Sequence, residues 1–334
     1  MRFSLLASVA LLACSANQPP PAAEAPALAI RASAPAEAPR APDTEPDPAT
    51  PDATADAPGA AAAGAPGATA DAPSAEPTPA ADAGPRFREP VVDVGETRAV
   101  VLLYHGFDRG KDPLSVASRH FREQMVWLRE NQVEAVWPSQ LVRFLRGELR
   151  LPRRVAVITI DDGMASVYSK AWPILRELGV PFSLGITTAL VEERHREAMR
   201  WPQIEEMLAS GLVEIASHGH RHRGLANVSR RLLDEELERS RELLEQRLGV
   251  TPRVYYYPLG SLNSRVRDHV LSAGYEAAFT ATGAPIAFGS AHLGAIPRTS
   301  VFYGDTLGQF GWLFRGFVER VKPSVAAASS SDAR

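Results

Sequence analysis

An apolar run that ends on two adjacent carboxylates constrains the fold of this chain more than any other stretch. Residues 155–160 (Val-Ala-Val-Ile-Thr-Ile) are apolar or β-branched, which is typical of a strand buried on both faces. Asp161, Asp162 and Gly163 follow at once. Parallel α/β sheets and barrels carry their chemistry at the carboxyl ends of strands, although an isolated Asp-Asp-Gly is more often only a turn. Neighbouring residues of an extended chain point in opposite directions, so Asp161 and Asp162 take separate tasks in one site only if the backbone turns there.

The chain from residue 86 onward alternates short apolar runs with amphipathic stretches. The runs predict strands over residues 99–104, 133–136, 155–160, 182–186, 213–217, 254–257 and 277–280. The stretches between them predict helices over residues 121–131, 141–145, 167–178, 204–208, 232–248 and 266–273. Gly179, Gly211 and Gly274 stand where helices end. This alternation predicts an α/β fold, and seven or so strands with no obvious edge favour a distorted (β/α) barrel over an open sheet.

The first fourteen residues have the pattern of an export signal. Met1-Arg2 precedes a short apolar run, residues 3–13, and the run ends at Cys14, the chain's single cysteine. Leu11-Leu12-Ala13-Cys14 resembles the lipobox of bacterial lipoproteins, in which the cysteine is acylated; the alternative is an ordinary secretory peptide with a chance cysteine. Either alternative predicts an exported protein of the cell envelope. The first adds a lipid anchor to a membrane, at the outer membrane or the periplasmic face.

Composition divides the remaining chain into a tether, a folded unit and a tail. Residues 15–85 are dominated by Ala, Pro, Asp and Glu, a composition that buries too little apolar surface to fold and predicts a disordered linker. The folded domain is expected over residues 86–323, and residues 324–334 are expected to be a disordered tail. Without Arg2 and the linker's two arginines and ten acids, 33 basic and 29 acidic residues remain. This weak excess of basic residues includes no run that indicates a nucleic-acid partner.

Three histidines within five residues follow the strand predicted over residues 213–217. Clusters of this kind at a strand end are typical of metal ligands, and a solvated polar loop is the alternative. His218 and His222 converge if the loop makes one turn, whereas His218 with His220 requires an extended chain. Two histidines and one carboxylate leave coordination positions open, which suits a catalytic divalent metal.

Aromatic residues mark two further stretches. Tyr255-Tyr256-Tyr257-Pro258-Leu259-Gly260 ends a strand, and its tyrosines either line a groove suited to sugar rings or belong to the core and its rim. The Pro-Leu-Gly turn is expected to expose the Leu259 amide. Trp201, at the start of a predicted helix, either stacks on a sugar or forms a hydrophobic staple.

Three motifs together resemble the polysaccharide deacetylase family, the NodB-homology domain of carbohydrate esterase family 4. They are Thr159-Ile160-Asp161-Asp162-Gly163, Ser217-His218-Gly219-His220-Arg221-His222 and Tyr257-Pro258-Leu259-Gly260, and their order and spacing match across roughly residues 98–300. The resemblance implies a distorted (β/α) barrel and removal of acetyl groups from N-acetylhexosamine units. It implies that Asp161 is the base and that Asp162, His218 and His222 bind one divalent metal ion. Zinc is the first candidate for that ion, and Co, Ni and Fe are the others. It also implies that the Leu259 amide helps to form the oxyanion hole, beside Tyr257 on the substrate side.

The sequence departs from the common pattern of that family in three places. A late motif with a catalytic-acid histidine is not found, and residues 100–105 (Val-Val-Leu-Leu-Tyr-His) have its character instead. This arrangement resembles the permuted subgroup that contains poly-N-acetylglucosamine deacetylases, which implies that His105 is the acid; the alternative is a structural histidine. Tyr256 stands where relatives carry an arginine that steadies the base, and Arg298 is expected either to replace it or to form a surface ion pair. Leu259 stands where an aromatic residue is common.

The sequence therefore predicts a metal-dependent hydrolase that deacetylates an N-acetylhexosamine-containing extracellular or cell-wall polysaccharide. Two alternatives keep the fold. One is a non-catalytic glycan-binding lipoprotein, and the other is an amidase that acts on a non-sugar amide.

Overall fold

The structure is a computed structural model that describes residues 84–107, 112–283, 286–287 and 289–315. The predicted signal peptide, nearly all of the predicted linker and the predicted C-terminal tail lie outside these residues. No helix in the described part of the chain is both long enough and apolar enough to cross a membrane.

Helices and strands alternate along the described chain, as the apolar pattern predicts. The strands are β1 Arg98–Tyr104, β2 Glu134–Val136, β3 Arg154–Ile160, β4 Phe182–Ile186, β5 Val213–Ser217, β6 Val254–Tyr256, β7 Ala277–Phe279 and β8 Thr299–Ser300. The α-helices are α1 Ser118–Glu130, α2 Pro138–Leu145, α3 Trp172–Leu178, α4 Thr188–Glu192, α5 Trp201–Ala209, α6 Arg230–Leu248, α7 Ser264–Ser272 and α8 Leu307–Trp312. A π-helical turn, Val167–Ala171, precedes α3, and short 3-10 turns lie at Pro258–Gly260 and Leu293–Ala295.

The strands form one parallel sheet that curls into a distorted (β/α) barrel. Its order is β7-β6-β5-β4-β3-β1-β8, with β2 paired beside the start of β3. Residues 296–300 join the two edges, because Ile296 bridges in parallel to Phe279 of β7 while Thr299 pairs with Leu102 of β1. The predicted fold class is confirmed, with eight strands where the sequence indicated about seven.

Both faces of the central strands are buried, which explains their uninterrupted apolar sequence. In β3, Ala156, Ile158 and Ile160 pack in the cluster that faces α1, α3 and α5. Val155 and Val157 pack in a second cluster with Tyr256 and Phe279. The alternation continues through buried Thr159 to Asp161, so the strand delivers the first carboxylate to the side of the sheet that holds the second cluster.

Candidate active site

A left-handed turn at the end of β3 separates the two adjacent carboxylates. Asp161 is 1% exposed and its N–H donates to the Tyr104 carbonyl (2.9 Å), so it still belongs to the sheet. Asp162 has φ +74° and Gly163 has φ +81°. Non-glycine residues rarely adopt a positive φ, and those that do are concentrated at functional sites. This is the backbone turn that Asp161 and Asp162 need if they are to have separate partners.

A second left-handed turn folds the histidine loop after β5 back on itself. Gly219 has φ +75° and His222 has φ +55°, and the rings of His218 and His222 lie 5.0 Å apart, centroid to centroid. The alternative in which His218 and His222 converge is therefore the one that the chain adopts. His220 lies outside the pair, with its Nδ1 3.0 Å from the Thr188 hydroxyl.

Asp162, His218 and His222 bring one ligand atom each to a common point. These atoms all lie within 4.8 Å of one another. Asp162 Oδ1 lies 3.4 Å from His218 Nε2 and 3.3 Å from His222 Nε2. The separations suit one ion that all three atoms coordinate, and two imidazoles with a carboxylate match a catalytic divalent site.

The surroundings of these ligands also fit a metal ion. His218 Nδ1 lies 2.9 Å from the Tyr256 carbonyl, to which it donates, so the Nε2 lone pair is free to face the common point. Asp162 Oδ1 is a buried oxygen with no hydrogen-bond partner among the described residues. Burial alone would raise the pKa of Asp162, but its interactions with His218 and His222 hold that pKa well below its usual value. The carboxyl group is therefore an ionised ligand at neutral pH.

Arg298 pairs with the other carboxylate. Its Nη1 and Nη2 each donate to one oxygen of Asp161 at 2.7 Å, and the guanidinium is 1% exposed. Thr280 and Tyr256 fix the arginine, because its Nε donates to the Thr280 carbonyl (2.9 Å) and its guanidinium carbon lies 4.3 Å from the Tyr256 ring centroid. The alternative of a surface ion pair is wrong, since both partners are buried. Burial favours a higher pKa for Asp161, but the charge and hydrogen bonds of Arg298, together with the charges of His218 and His105, outweigh it and lower that pKa.

His105 follows β1 at the same end of the barrel. Its Nδ1 is buried and has no hydrogen-bond partner among the described residues, so no structural hydrogen bond accounts for that atom. Burial lowers the pKa of His105, while the charges of Asp162 and Asp161 oppose that effect. His105 therefore lies within electrostatic range of the two carboxylates.

The Tyr-Tyr-Tyr segment is core, and the alternative in which it lines a groove is wrong. Tyr255, Tyr256 and Tyr257 are at most 1% exposed. The Tyr257 hydroxyl donates to the Gly294 carbonyl (2.9 Å), so the prediction that this side chain faces substrate is wrong as well. Burial is the reason in each case: the strand needs apolar bulk on both faces. Leu259 differs, because it is 60% exposed and its φ of +58° turns the chain outward.

Trp201 begins α5 and packs partly buried against the main core cluster. Its indole N–H donates to Glu192 Oε2 (2.8 Å), which also pairs with Arg247. The packing of Trp201 against the core agrees with the kind of role that the staple alternative gives it. Stacking of Trp201 on a sugar stays a prediction.

Two residues that support the site carry no signal in the sequence. Glu236 of α6 is 2% exposed and accepts the backbone N–H groups of His220 and Arg221, both at 2.8 Å. Gly185 of β4 leaves room for the base, because a Cβ there would lie 2.5 Å from Tyr256 Cδ2 and 3.1 Å from Asp161 Oδ1. An acid within a highly charged helix and a glycine within a strand each have many ordinary explanations, so only the fold shows what they do.

Known proteins resemble this chain in sequence. Residues 149–278 match the family model described as polysaccharide deacetylase. The poly-beta-1,6-N-acetyl-D-glucosamine N-deacetylase of Escherichia coli (strain K12) is 28% identical over 237 residues, which cover 59% of this chain and 35% of that protein. This chain thus spans about a third of the length of that relative.

Solved structures have the same fold. IcaB from Ammonifex degensii superposes with a TM-score of 0.60 and 28% identity, over 65% of this chain and 97% of that one. The Streptococcus pyogenes deacetylase PplD, solved in complex with acetate, superposes with a TM-score of 0.61 over 67% of this chain and 99% of that one. At 19% identity the second likeness concerns the fold alone.

Proposed function

We propose, from the premise that this chain belongs to the polysaccharide deacetylase family, that it is a metal-dependent hydrolase of N-acetyl groups on an N-acetylhexosamine-containing extracellular or cell-wall polysaccharide. One observation carries the proposal: Asp162, His218 and His222 converge beside a second carboxylate, Asp161, which pairs with Arg298. A purely structural metal site would not need that second acid.

Asp162, His218 and His222 are the proposed metal ligands. A divalent ion bound there would supply Lewis acidity, which polarises an amide carbonyl and acidifies water. Zinc suits two imidazoles and one carboxylate, with cobalt, nickel or iron as the other candidates. His218 Nδ1 is committed to the Tyr256 carbonyl, which fixes the tautomer that such binding requires.

Asp161 is the proposed general base. Arg298 keeps it ionised and fixes its orientation, so the carboxylate can accept a proton from the attacking water. His218 Nε2 lies 3.6 Å from Asp161 Oδ2, which places the base next to the ligand cluster.

His105 is the proposed general acid, and it gives its proton to the departing amine. Breaking the C–N bond without that proton would expel an amide anion, which is a poor leaving group. Burial lowers the pKa of His105, and the charges of Asp162 and Asp161 offset part of that lowering. The Leu259 N–H, at the outward turn after β6, is the proposed donor to the developing oxyanion.

The polymer proposed first is poly-β-1,6-N-acetylglucosamine, because the Escherichia coli relative is a deacetylase of that polymer. The proposed location is the cell envelope, after export directed by residues 1–14 and with a lipid anchor at Cys14.

Acetate release from a panel of glycans tests the proposed activity. Purified protein should release acetate from oligomers of β-1,6-linked N-acetylglucosamine, chitin oligomers or peptidoglycan, and a chelator should abolish the release until a divalent ion is restored. If the purified protein contains metal but releases no acetate from any glycan, the proposal is contradicted and the glycan-binding alternative is favoured. Faster release from simple amides than from chitooligosaccharides would favour the amidase.

A further inference from the structure

The segments at the mouth of the barrel differ in charge. His105 follows β1, Asp161 and Asp162 follow β3, and the histidine loop follows β5. The segments after β6, β7 and β8 are residues 258–262 (Pro-Leu-Gly-Ser-Leu), 280–283 (Thr-Ala-Thr-Gly) and 301–304 (Val-Phe-Tyr-Gly). These three segments, called here the uncharged arc, contain no Asp, Glu, Lys, Arg or His.

Close contacts make the uncharged arc one surface beside the metal ligands. A Cβ on Gly260 would lie 3.3 Å from the Ala281 Cβ, and one on Gly283 would lie 3.0 Å from the hydroxyl of Thr299 in β8. Leu259 Cδ1 comes within 3.6 Å of the Cβ position of Gly224, two residues beyond His222. The arc therefore reaches from the histidine loop to β8.

The other end of the uncharged arc lies next to His105. Strand β8 pairs with β1, and the Val301 N–H donates to the Leu103 carbonyl (3.0 Å). The Tyr303 N–H donates to the Pro113 carbonyl (2.9 Å) in the loop that follows β1. Phe302 and Tyr303 thus border the end of the strand from which His105 extends.

Large apolar side chains are exposed on this arc. Leu259 is 60%, Phe302 40% and Tyr303 48% exposed, and Val91 and Trp312 complete the set of large exposed apolar residues in the described chain. Exposed apolar groups beside a catalytic mouth indicate a binding surface. Aromatic rings pack on apolar ring faces without needing opposite charge.

We propose that the uncharged arc binds the sugar rings next to the reacting unit of an uncharged N-acetylhexosamine polymer, with Phe302 and Tyr303 stacking on their C–H faces. This inference rests on the proposed function and assigns the polymer-binding part of the same site. An uncharged chain loses no charge hydration on this surface, whereas a polyanion would gain no charged partner from it.

The experiment measures binding and turnover separately. A pentamer of β-1,6-linked N-acetylglucosamine is titrated into the zinc-loaded wild type, the double variant F302A/Y303A and the single variant Y303S. A small acetyl ester reports turnover at the metal centre alone. W312A is the matched control, because Trp312 is 61% exposed but lies on α8, outside the arc.

We expect the double variant to bind the pentamer about tenfold more weakly, as the loss of two aromatic contacts implies, with ester turnover unchanged. Y303S should lose part of that affinity, and W312A should behave as wild type. Wild-type affinity in F302A/Y303A, an equal loss in W312A, or a wild type that binds no pentamer would overturn the inference. If binding depends on Phe302 and Tyr303 but no acetate is released, the inference about the uncharged arc stands and the proposed hydrolase activity is contradicted.

Discussion

Two carboxylates that are neighbours in sequence have different surroundings at the scale of single residues. Asp161 has a 2% exposed side chain and a bidentate arginine partner. Asp162 has a 21% exposed side chain, and its Oδ1 faces two imidazoles. One backbone turn with positive φ at Asp162 produces this division. An arginine partner suits an ionised base, and an oxygen without a donor suits a metal ligand.

Asp161→Asn should separate metal binding from turnover. Asparagine keeps the shape of the side chain but cannot take up the proton, so we expect turnover to fall by about 10²–10⁴-fold. Cobalt binding, followed by the absorption of the bound ion, should stay close to wild type. His218→Ala should lose both metal and turnover, whereas Asp268→Asn, at an exposed carboxylate, should change neither. Full activity in Asp161→Asn would remove Asp161 from the role of base.

The sequence predicted residues whose chemistry is local and left undecided those that act across the fold. Asp161, Asp162, His218 and His222 stand at strand ends within short motifs, so their chemistry is visible in the sequence. The pairing of Arg298 with Asp161 joins residues 137 apart, so the sequence left it as one of two alternatives. The tyrosines before Pro258 were ambiguous, because an aromatic strand has the same sequence whether it lines a groove or fills a core.

At the scale of elements, α6 supports the histidine loop through one buried acid. Glu236 Oε2 accepts two consecutive backbone N–H groups of the loop, and its Oε1 lies 3.3 Å from Arg223 Nε. Gly219 is required beside it, since a Cβ at that glycine would lie 3.0 Å from Glu236 Oε2. The helix thereby fixes the turn that returns His222 to His218.

Glu236→Ala should weaken metal binding without touching a ligand. The variant leaves two loop N–H groups without their acceptor, so the loop loses its fixed conformation; loss of such supporting contacts typically costs about 10- to 100-fold in metal affinity. Glu236→Gln keeps an acceptor and should lose less. Competition with a chelating dye measures the affinity, and the melting temperature of the metal-free protein measures stability separately. The exposed neighbour Glu235 supplies the control, Glu235→Ala. Unchanged metal affinity in Glu236→Ala would show that the loop holds its shape by itself.

Element boundaries were predictable where a segment's own pattern decides them. Strands β4 and β5 have the bounds that their apolar runs predicted. The sequence did not predict β8, because its two residues, Thr299 and Ser300, become a strand only by pairing with β1. The helix predicted over residues 167–178 is instead a π-helical turn followed by α3, a change of hydrogen bonding that the apolar spacing does not reveal.

On the scale of the whole molecule, the catalytic end of the barrel lies opposite an end that holds a partly buried acid, Glu214. Strand β5 runs into His218 at one end and carries Glu214 near its start. The Glu214 Oε2 accepts the N–H (3.1 Å) and the hydroxyl (2.9 Å) of Ser139, while its Oε1 is buried without a partner among the described residues. Arg253 and Glu276 supply the neighbouring charges. Burial outweighs the Ser139 hydrogen bonds and raises the pKa of Glu214 to about 7.

This raised pKa gives the fold a pH-dependent stability with a definite sign. A carboxyl group of pKa about 7 in the folded state and about 4.5 when unfolded binds its proton more tightly in the fold. The contribution of Glu214 to the free energy of unfolding is therefore greatest below pH ~4.5. It falls as the pH rises towards ~7 and stays low above that. Glu214→Gln is neutral at every pH and keeps the acceptor for Ser139. It should be more stable than wild type by about 1–3 kcal/mol at pH 8, with the difference vanishing near pH 4.

Denaturant unfolding of the metal-free protein at pH 4.5, 6 and 8 measures this difference, free of the effect of protons on metal binding. Glu235→Gln, at an exposed position of α6, should track the wild type at all three pH values because water solvates its charge. A stability difference between Glu214→Gln and wild type that is independent of pH would mean that Glu214 has the same pKa in the folded and unfolded states. Water or Arg253 would then have to stabilise its charge inside the barrel.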